Sequence, residues 1–263
     1  MMQVDAIPAF NDNYIWCVQA DDQALIVDPG DAQPVRAALA ERGLSLAAIL
    51  VTHHHYDHTG GIVELKQQTR CRVYGPDNPD IEGVDQVVTG GEVIPLLGLD
   101  FQVLNVPGHT LDHIAWFQDG RRGHGSGAPW LFCGDTLFAA GCGRLFEGDA
   151  ATMQHSLETL RQLPADTEIY CAHEYTLANL KFAAAVEPDN SAVRQRLAAV
   201  RARREAGEIT LPSTLGVELE TNPFLRWDQP AVQAAARTRQ PGASTEEAGV
   251  FAAIRQWKDV FKA

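Results

Sequence analysis

Four side chains able to bind a hard or borderline cation, His53, His55, Asp57 and His58, fall within the ten residues THHHYDHTGG at 52–61. Imidazole nitrogen and carboxylate oxygen are the donors that zinc, iron and manganese sites use. The segment follows an apolar run of strand length at residues 47–51. On extended backbone, residues i and i+2 project the same way, so His53 and His55 can converge while His54 points elsewhere. The turn that follows can bring Asp57 and His58 to a second point. A lone histidine is more often a satisfied core or surface residue than a ligand, but four such groups at fixed spacing beside a strand end favour a metal site. Three further donors recur at the ends of predicted strands or in turns: His109 in Val106-Pro107-Gly108-His109-Thr110, Asp135 in Cys133-Gly134-Asp135-Thr136, and His173 in Cys171-Ala172-His173-Glu174-Tyr175. Each alone reads as a turn histidine, a capping aspartate or a loop histidine. Together they are the set a sheet gathers along one edge.

The elements that would position them are short. Residues 14–20 and 23–27 read as a hairpin around Asp21-Asp22, and residues 34–42 as a helix stopped by Gly43. Gly60-Gly61 leads into a helix ending near Gln68, and further strands are predicted at 72–74, 101–106, 113–117, 130–133 and 168–171. Residues 119–129, rich in Gly, Arg and Ser, read as an exposed loop. Beyond Tyr175 the pattern turns helical, with Val193, Leu197 and Val200 on one face of a helix over 193–206. Ser244-Thr245-Glu246-Glu247 reads as a capping box for a final helix, along which Val250, Ile254, Trp257 and Phe261 form one apolar stripe. The plan is a mixed sheet-and-helix domain over residues 1–172 followed by a helical domain over 173–263.

The 263 residues, 45% apolar and 21% charged, suffice for a full hydrophobic core, and no apolar run reaches membrane-spanning length. The first ten residues lack a secretory signal, and five cysteines without a C-x-x-C pair suit free thiols in a reducing cytoplasm. A net charge of −13 disfavours nucleic acid and anionic membranes as partners. It also means that an anionic substrate would need bound cations or a local basic patch at its site.

The motifs THHHYDHTGG, PGHT, GDTLF and AHEYT resemble the successive motifs of the metallo-β-lactamase superfamily. More narrowly, GCGRLFEG at 141–148, NPFLR at 222–226 and RQWKDVFK near the C-terminus resemble the hydroxyacylglutathione hydrolase (glyoxalase II) family. The likeness spans nearly the whole chain. It implies an α+β fold, an αββα sandwich with the site along one sheet edge and a C-terminal helical domain. It further implies that His53, His55 and His109 hold one divalent ion, that Asp57, His58 and His173 hold a second, and that Asp135 bridges them. Zinc is the first choice, with iron or manganese as alternatives. His54, Tyr56, His113, His124 and His155 are not ligands in this reading. His113 is taken as a core or supporting histidine, and His124 and His155 as solvent-facing. Asp28, in Val27-Asp28-Pro29-Gly30, is taken first as a turn former and second as support for a ligand.

Two such ions share a water and lower its pKa towards about 7, so a bridging hydroxide, with Asp57 and Asp135 as the catalytic carboxylates, would attack a thioester carbonyl. No Gly-x-Ser-x-Gly nucleophile elbow is present. The resemblance implies a monomeric thioesterase that cleaves S-(2-hydroxyacyl)glutathione to glutathione and a 2-hydroxy acid, the second step of methylglyoxal detoxification. It places glutathione contacts at Arg144, Phe146, Tyr175, Arg255 and Lys258. Arg144 stands where lysine is common in the family, and Phe146 where a tyrosine hydroxyl often contacts the tripeptide. Two rival readings are a mononuclear-iron persulfide dioxygenase of the same fold, against which NPFLR and the basic pair argue, and a non-catalytic metal-binding scaffold, against which seven intact ligand positions argue.

Overall fold

The computed structural model describes residues 2–120, 127–242 and 246–262. In chain order the elements are β1 (Met2–Ala9), β2 (Asn13–Ala20), β3 (Gln23–Val27), α1 (Ala32–Arg42), β4 (Ser45–Leu50), α2 (Tyr56–Thr59), α3 (Ile62–Thr69), β5 (Arg72–Gly75), β6 (Gln86–Val87), β7 (Val93–Leu96), β8 (Leu99–Asn105), β9 (Ile114–Gln118) and β10 (Trp130–Gly134). They continue as β11 (Leu137–Phe138), β12 (Gly141–Cys142), α4 (Ala150–Arg161), β13 (Glu168–Cys171), α5 (Thr176–Val186), α6 (Ser191–Glu205), β14 (Ser213–Thr214), α7 (Leu215–Thr221), α8 (Pro230–Arg239) and α9 (Glu247–Val260). A 3-10 turn at Pro223–Leu225 precedes α8. The chain divides into two compact units, the first comprising residues 1–105, 112–134 and 170–173, the second residues 106–111, 135–169 and 174–263.

The first unit holds two sheets. One runs β1-β2-β3-β4-β5-β6, antiparallel from β1 to β3 and parallel from β3 to β6. Parallel neighbours need crossovers, which α1 and α3 supply. These helices bury Val35, Leu39, Ile62 and Leu65 with Ile15, Cys17, Ile26, Ile49 and Val73 of the strands. β2 to β4 are nearly continuous in apolar residues because both faces of that sheet are covered. The second sheet runs β7-β8-β9-β10 antiparallel, with Tyr170 and Cys171 of β13 beside β10. Indole donors tie the two sheets: Trp16 Nε1 donates to the Cys171 carbonyl at 3.1 Å, and Trp116 Nε1 to the Val51 carbonyl at 3.1 Å. Both tryptophans are buried, so each N–H has found the partner a buried donor requires.

The second unit is mainly helical. The apolar stripe expected on the last helix buries Val250 and Ile254 in α9, while Trp257 and Phe261 lie with their rings against Phe182 of α5 at 5.3 and 5.2 Å. Ser244 and Thr245 of the expected capping box lie outside the described residues, as does His124. All five cysteines are buried free thiols, as expected. Among the described residues no helix is long and apolar enough to cross a membrane.

β10 ends at Gly134, whose φ of +46° favours glycine and whose missing Cβ leaves room for Thr52 Oγ1, 2.4 Å from where that atom would stand, and for the His113 ring at 2.9 Å. Replacing it by alanine adds both a clash and a left-handed L-residue. Gly134→Ala is expected to lower unfolding stability by about 3 kcal/mol or more, read as a fall in the urea midpoint. An unchanged midpoint would show that Thr52 and His113 yield freely.

Candidate metal centre

In the first unit the loop after β4 presents the histidine motif. His53 Nε2 and His55 Nδ1 stand 3.2 Å apart. Asp57 Oδ2 lies 3.5 Å from His58 Nε2 and 3.5 Å from His173 Nε2. In the second unit His109 Nε2 lies 3.4 Å from Asp135 Oδ2. Donors bound at about 2.1 Å to one tetrahedral ion are separated by about 3.4 Å. These separations match the spacing of donors around one such ion, although the His53–His55 contact is also within hydrogen-bond range. His53, His58, His109, Asp135 and His173 are buried, and His55 and Asp57 are half-buried.

What the other ring nitrogens do fixes the tautomers. His58 Nδ1 donates to Asp28 Oδ2 at 3.0 Å, and His173 Nδ1 to Asp12 Oδ1 at 2.8 Å. His109 Nδ1 donates to the Arg144 carbonyl at 2.9 Å. Thr52 Oγ1 gives its proton to Asp28 Oδ2 at 2.7 Å, so at 3.0 Å it accepts from His53 Nδ1. All four rings thus carry their proton on Nδ1, which leaves a lone pair on each Nε2. Asn13 Nδ2 donates to Asp57 Oδ2 at 2.9 Å and fixes that carboxylate as well. Within each unit, neutral imidazoles stand with their Nε2 atoms beside a carboxylate or another ring nitrogen, a donor chemistry that fits a divalent cation.

Asp28 combines both roles weighed for it. It does sit in a turn at φ +53°, but its buried carboxylate also receives the Thr52 amide at 2.8 Å, the Thr52 hydroxyl and His58. Sequence reasoning missed Asp12, whose only signal is one acid in the Asn11-Asp12-Asn13 turn between β1 and β2. His54 turns aside as expected, its Nδ1 3.0 Å from Asp112 Oδ1, while Asn78 donates to the other Asp112 oxygen at 2.9 Å. His113 is buried and stacks on His53 at 4.5 Å with 14° between the rings, its Nδ1 donating to the Ile114 carbonyl. His155 is exposed.

The expected substrate contacts all lie in the second unit. Arg144 is exposed, and Phe146, 63% exposed, has its ring 5.2 Å from that of His109. Tyr175 precedes α5 and meets Phe138 edge-on at 5.2 Å. Arg255 is only 4% exposed: its Nη1 donates to the carbonyls of Cys142 at 3.0 Å and Gly143 at 3.5 Å, and its Nη2 to Asp259 at 2.9 Å. Lys258 is half-buried with its Nζ 5.3 Å from the centre of the Phe182 ring. Burial first, and then the neighbouring charges of Arg255 and Arg144, push its ammonium down from 10.5 to about 8.

Residues 10–173 match the Metallo-beta-lactamase superfamily, and residues 174–261 match the hydroxyacylglutathione hydrolase C-terminus. A hydroxyacylglutathione hydrolase of Pseudomonas aeruginosa (strain LESB58) is 53% identical over 266 residues, spanning 99% of this chain and 100% of that one. One from Idiomarina loihiensis is 50% identical over 260 residues, spanning 98% and 99%. The crystal structure of ETHE1 from Myxococcus xanthus shares the fold with a TM-score of 0.65 at 24% identity, covering 97% of this chain and 90% of that one. A further crystal structure, of a protein in a di-iron-bound form, aligns with a TM-score of 0.58 at 24% identity over 85% of this chain and 100% of that one.

Asp28→Asn would turn an amide N–H towards donors that now meet a carboxylate oxygen, loosening His58 and Thr52 together. The expected outcome is a folded protein whose metal is held about ten- to a hundredfold more weakly, measured by chelator competition. Equal retention would mean that the Asp28 contact does not orient His58.

Proposed function

The chain belongs to the hydroxyacylglutathione hydrolase family of the metallo-β-lactamase superfamily, and on that footing we propose that it hydrolyses S-(2-hydroxyacyl)glutathione, S-D-lactoylglutathione first, to glutathione and the free 2-hydroxy acid. The reading is carried by one observation: four imidazoles have their Nδ1 protons bound elsewhere, and their Nε2 atoms lie 3.4–3.5 Å from a carboxylate oxygen in His58, His109 and His173 and 3.2 Å from His55 Nδ1 in His53. His53, His55 and His109 would hold one divalent ion, Asp57, His58 and His173 a second, with Asp135 serving both. Zinc is the first choice. Bound there, such ions supply an activated water near neutral pH and polarise the thioester carbonyl.

The remaining chemistry belongs to the chain. Asn13 and the Asp12, Thr52 and Asp28 acceptors hold the ligands so that no reorganisation is needed as charge develops. The C–S bond breaks to release a thiolate of ordinary pKa about 8.5, so no strong general acid is required. Lys258 and Arg144 supply the positive charge for the anionic tripeptide, and Arg255 backs them from within while holding the loop that carries Arg144. Tyr175 and Phe146 are taken as further contacts for the tripeptide, Phe146 as an apolar one. The same reading takes the protein as a cytoplasmic monomer, consistent with five unbridged thiols.

The direct test is hydrolysis of S-D-lactoylglutathione by metal-loaded protein beside Asp135→Ala, which should lose at least about a hundredfold in kcat/KM. An unaffected slow reaction in the variant would refute the reading. Charge at Lys258 gives a second test. Its ammonium holds an anion only while protonated, so KM should begin to rise as pH passes about 8, well below the ordinary 10.5. Lys258→Met should be insensitive to pH over that range; a KM in the native protein that stays flat to pH 10 would remove Lys258 from substrate binding.

A further inference from the structure

Glu218, in α7, is a fully buried carboxylate that no ligand or substrate role accounts for. Its Oε1 accepts from Arg196 Nη2 at 2.6 Å and from the Ser213 hydroxyl, and its Oε2 accepts from the Ala140 amide at 2.7 Å and Asn222 Nδ2 at 3.1 Å. Ala140 is the second residue of the two-residue turn between β11 and β12, and it sits at φ +56°, a conformation that favours glycine. An L-residue persists there only when its surroundings dictate it, and the Glu218 carboxylate holding its N–H is such a constraint.

The rest of the hairpin is gripped the same way, by buried side chains of the helical segment. Asn222 Nδ2 also donates to the carbonyls of Phe138 at 3.2 Å and Gly141 at 2.9 Å. Asn179 Nδ2 donates to the Ala139 carbonyl at 3.1 Å, and Arg255 holds Cys142 and Gly143. Both ends of this hairpin lead into the candidate site. Asp135 lies two residues before β11. Gly143 and Arg144 follow β12; the Gly143 amide donates to the Thr136 carbonyl at 3.3 Å, and the Arg144 carbonyl is the acceptor that fixes His109 Nδ1.

We infer that Glu218 is a positioning residue: through Ala140 and Asn222 it sets the β11–β12 hairpin, and the hairpin sets Asp135 and the His109 tautomer. The inference rests on the reading of His109 and Asp135 as metal ligands. Glu218→Gln keeps the size of the side chain but sets an NH2 group against two of the four donors. Purified with its metal, this variant is expected to stay folded and to give up zinc to a chelator about ten- to a hundredfold more readily than the native protein. Thermal unfolding, followed in parallel, reads its structural role separately. A lower unfolding temperature with unchanged metal retention would show that Glu218 only braces α6 and α7, and would overturn the inference.

Adding Ala140→Gly tests the route. Glycine takes φ +56° without being held, so the double variant should recover a large part of the lost metal affinity. No recovery would exclude action through Ala140. If Glu218→Gln does not fold, Asn222→Ser, which releases the same carboxylate oxygen and the Phe138 and Gly141 carbonyls, must show the loss of metal affinity; normal retention overturns the inference. Asp135→Ala separates the two levels. Undiminished metal there sinks the ligand reading itself, whereas loss there with full retention in Glu218→Gln sinks the positioning role alone.

Discussion

A neutral imidazole has one proton and two nitrogens, and where the proton resides decides whether a cation can bind. In this protein the question is answered by acceptors outside the ligand set: Asp28 for His58, Asp12 for His173, the Thr52 hydroxyl for His53 and the Arg144 carbonyl for His109. Each takes an Nδ1 proton and leaves an Nε2 lone pair. A carboxylate acceptor does more than orient, because its negative charge raises the basicity of the ring it holds. The two rings nearest Asp57 have carboxylate acceptors, whereas His53 and His109 have neutral ones. The two ring pairs therefore differ in donor strength although their residue types are the same.

Those acceptors explain why the surrounding backbone is built as it is. Asp28 faces both Thr52 and His58 from a left-handed conformation just after β3, beside the start of the histidine loop. β3 and β4 are parallel neighbours, so their C-terminal ends lie side by side, and ends of that kind are where α/β sheets place their chemistry. The β1–β2 turn brings Asp12 and Asn13 to the same edge, and the Tyr14 amide donates to the Ala172 carbonyl, next to His173, at 2.7 Å. In the second unit the same task falls to a two-strand hairpin. Two strands of two residues cannot hold themselves in place, which is why Glu218, Asn222, Asn179 and Arg255 are all buried against it.

Much of this was legible in the sequence, and what was not has a common cause. The strands around the histidine loop show themselves because apolar runs bounded by turns are local signals, and the Asp21-Asp22 hairpin and the Gly43 stop stand as read. α1 begins two residues earlier than Pro34 suggests, because Asp31 caps it by accepting from the Gln33 amide. β1, α4, α5 and the β11–β12 hairpin went unread. β1 carries partly buried polar residues at an edge, and the hairpin is too short to have a period. Metal-ligand candidates stand out through clustering and motif, whereas Asp12 and Glu218 are single polar residues whose role comes from partners 161 and 78 positions away. Arg255 was legible as a charge but not as a buried one, since helical spacing gives a face and not what covers it.

The charge balance carries the same logic to the substrate. A chain of net charge −13 repels an anionic tripeptide over most of its surface, so attraction must be concentrated. Burial does most to depress the Lys258 ammonium, and Arg255 and then Arg144 are close enough to depress it further, a mutual repulsion the fold tolerates. Asp259 and the Cys142 and Gly143 carbonyls offset it at Arg255, and the face of Phe182 does so at Lys258. If these residues bind substrate as proposed, an arriving carboxylate would relieve what remains, and part of its binding energy would come from repulsion already present before it binds. In the proposed reading, arginine at position 144 keeps the positive charge of a lysine and adds a planar fork of donors that matches a carboxylate.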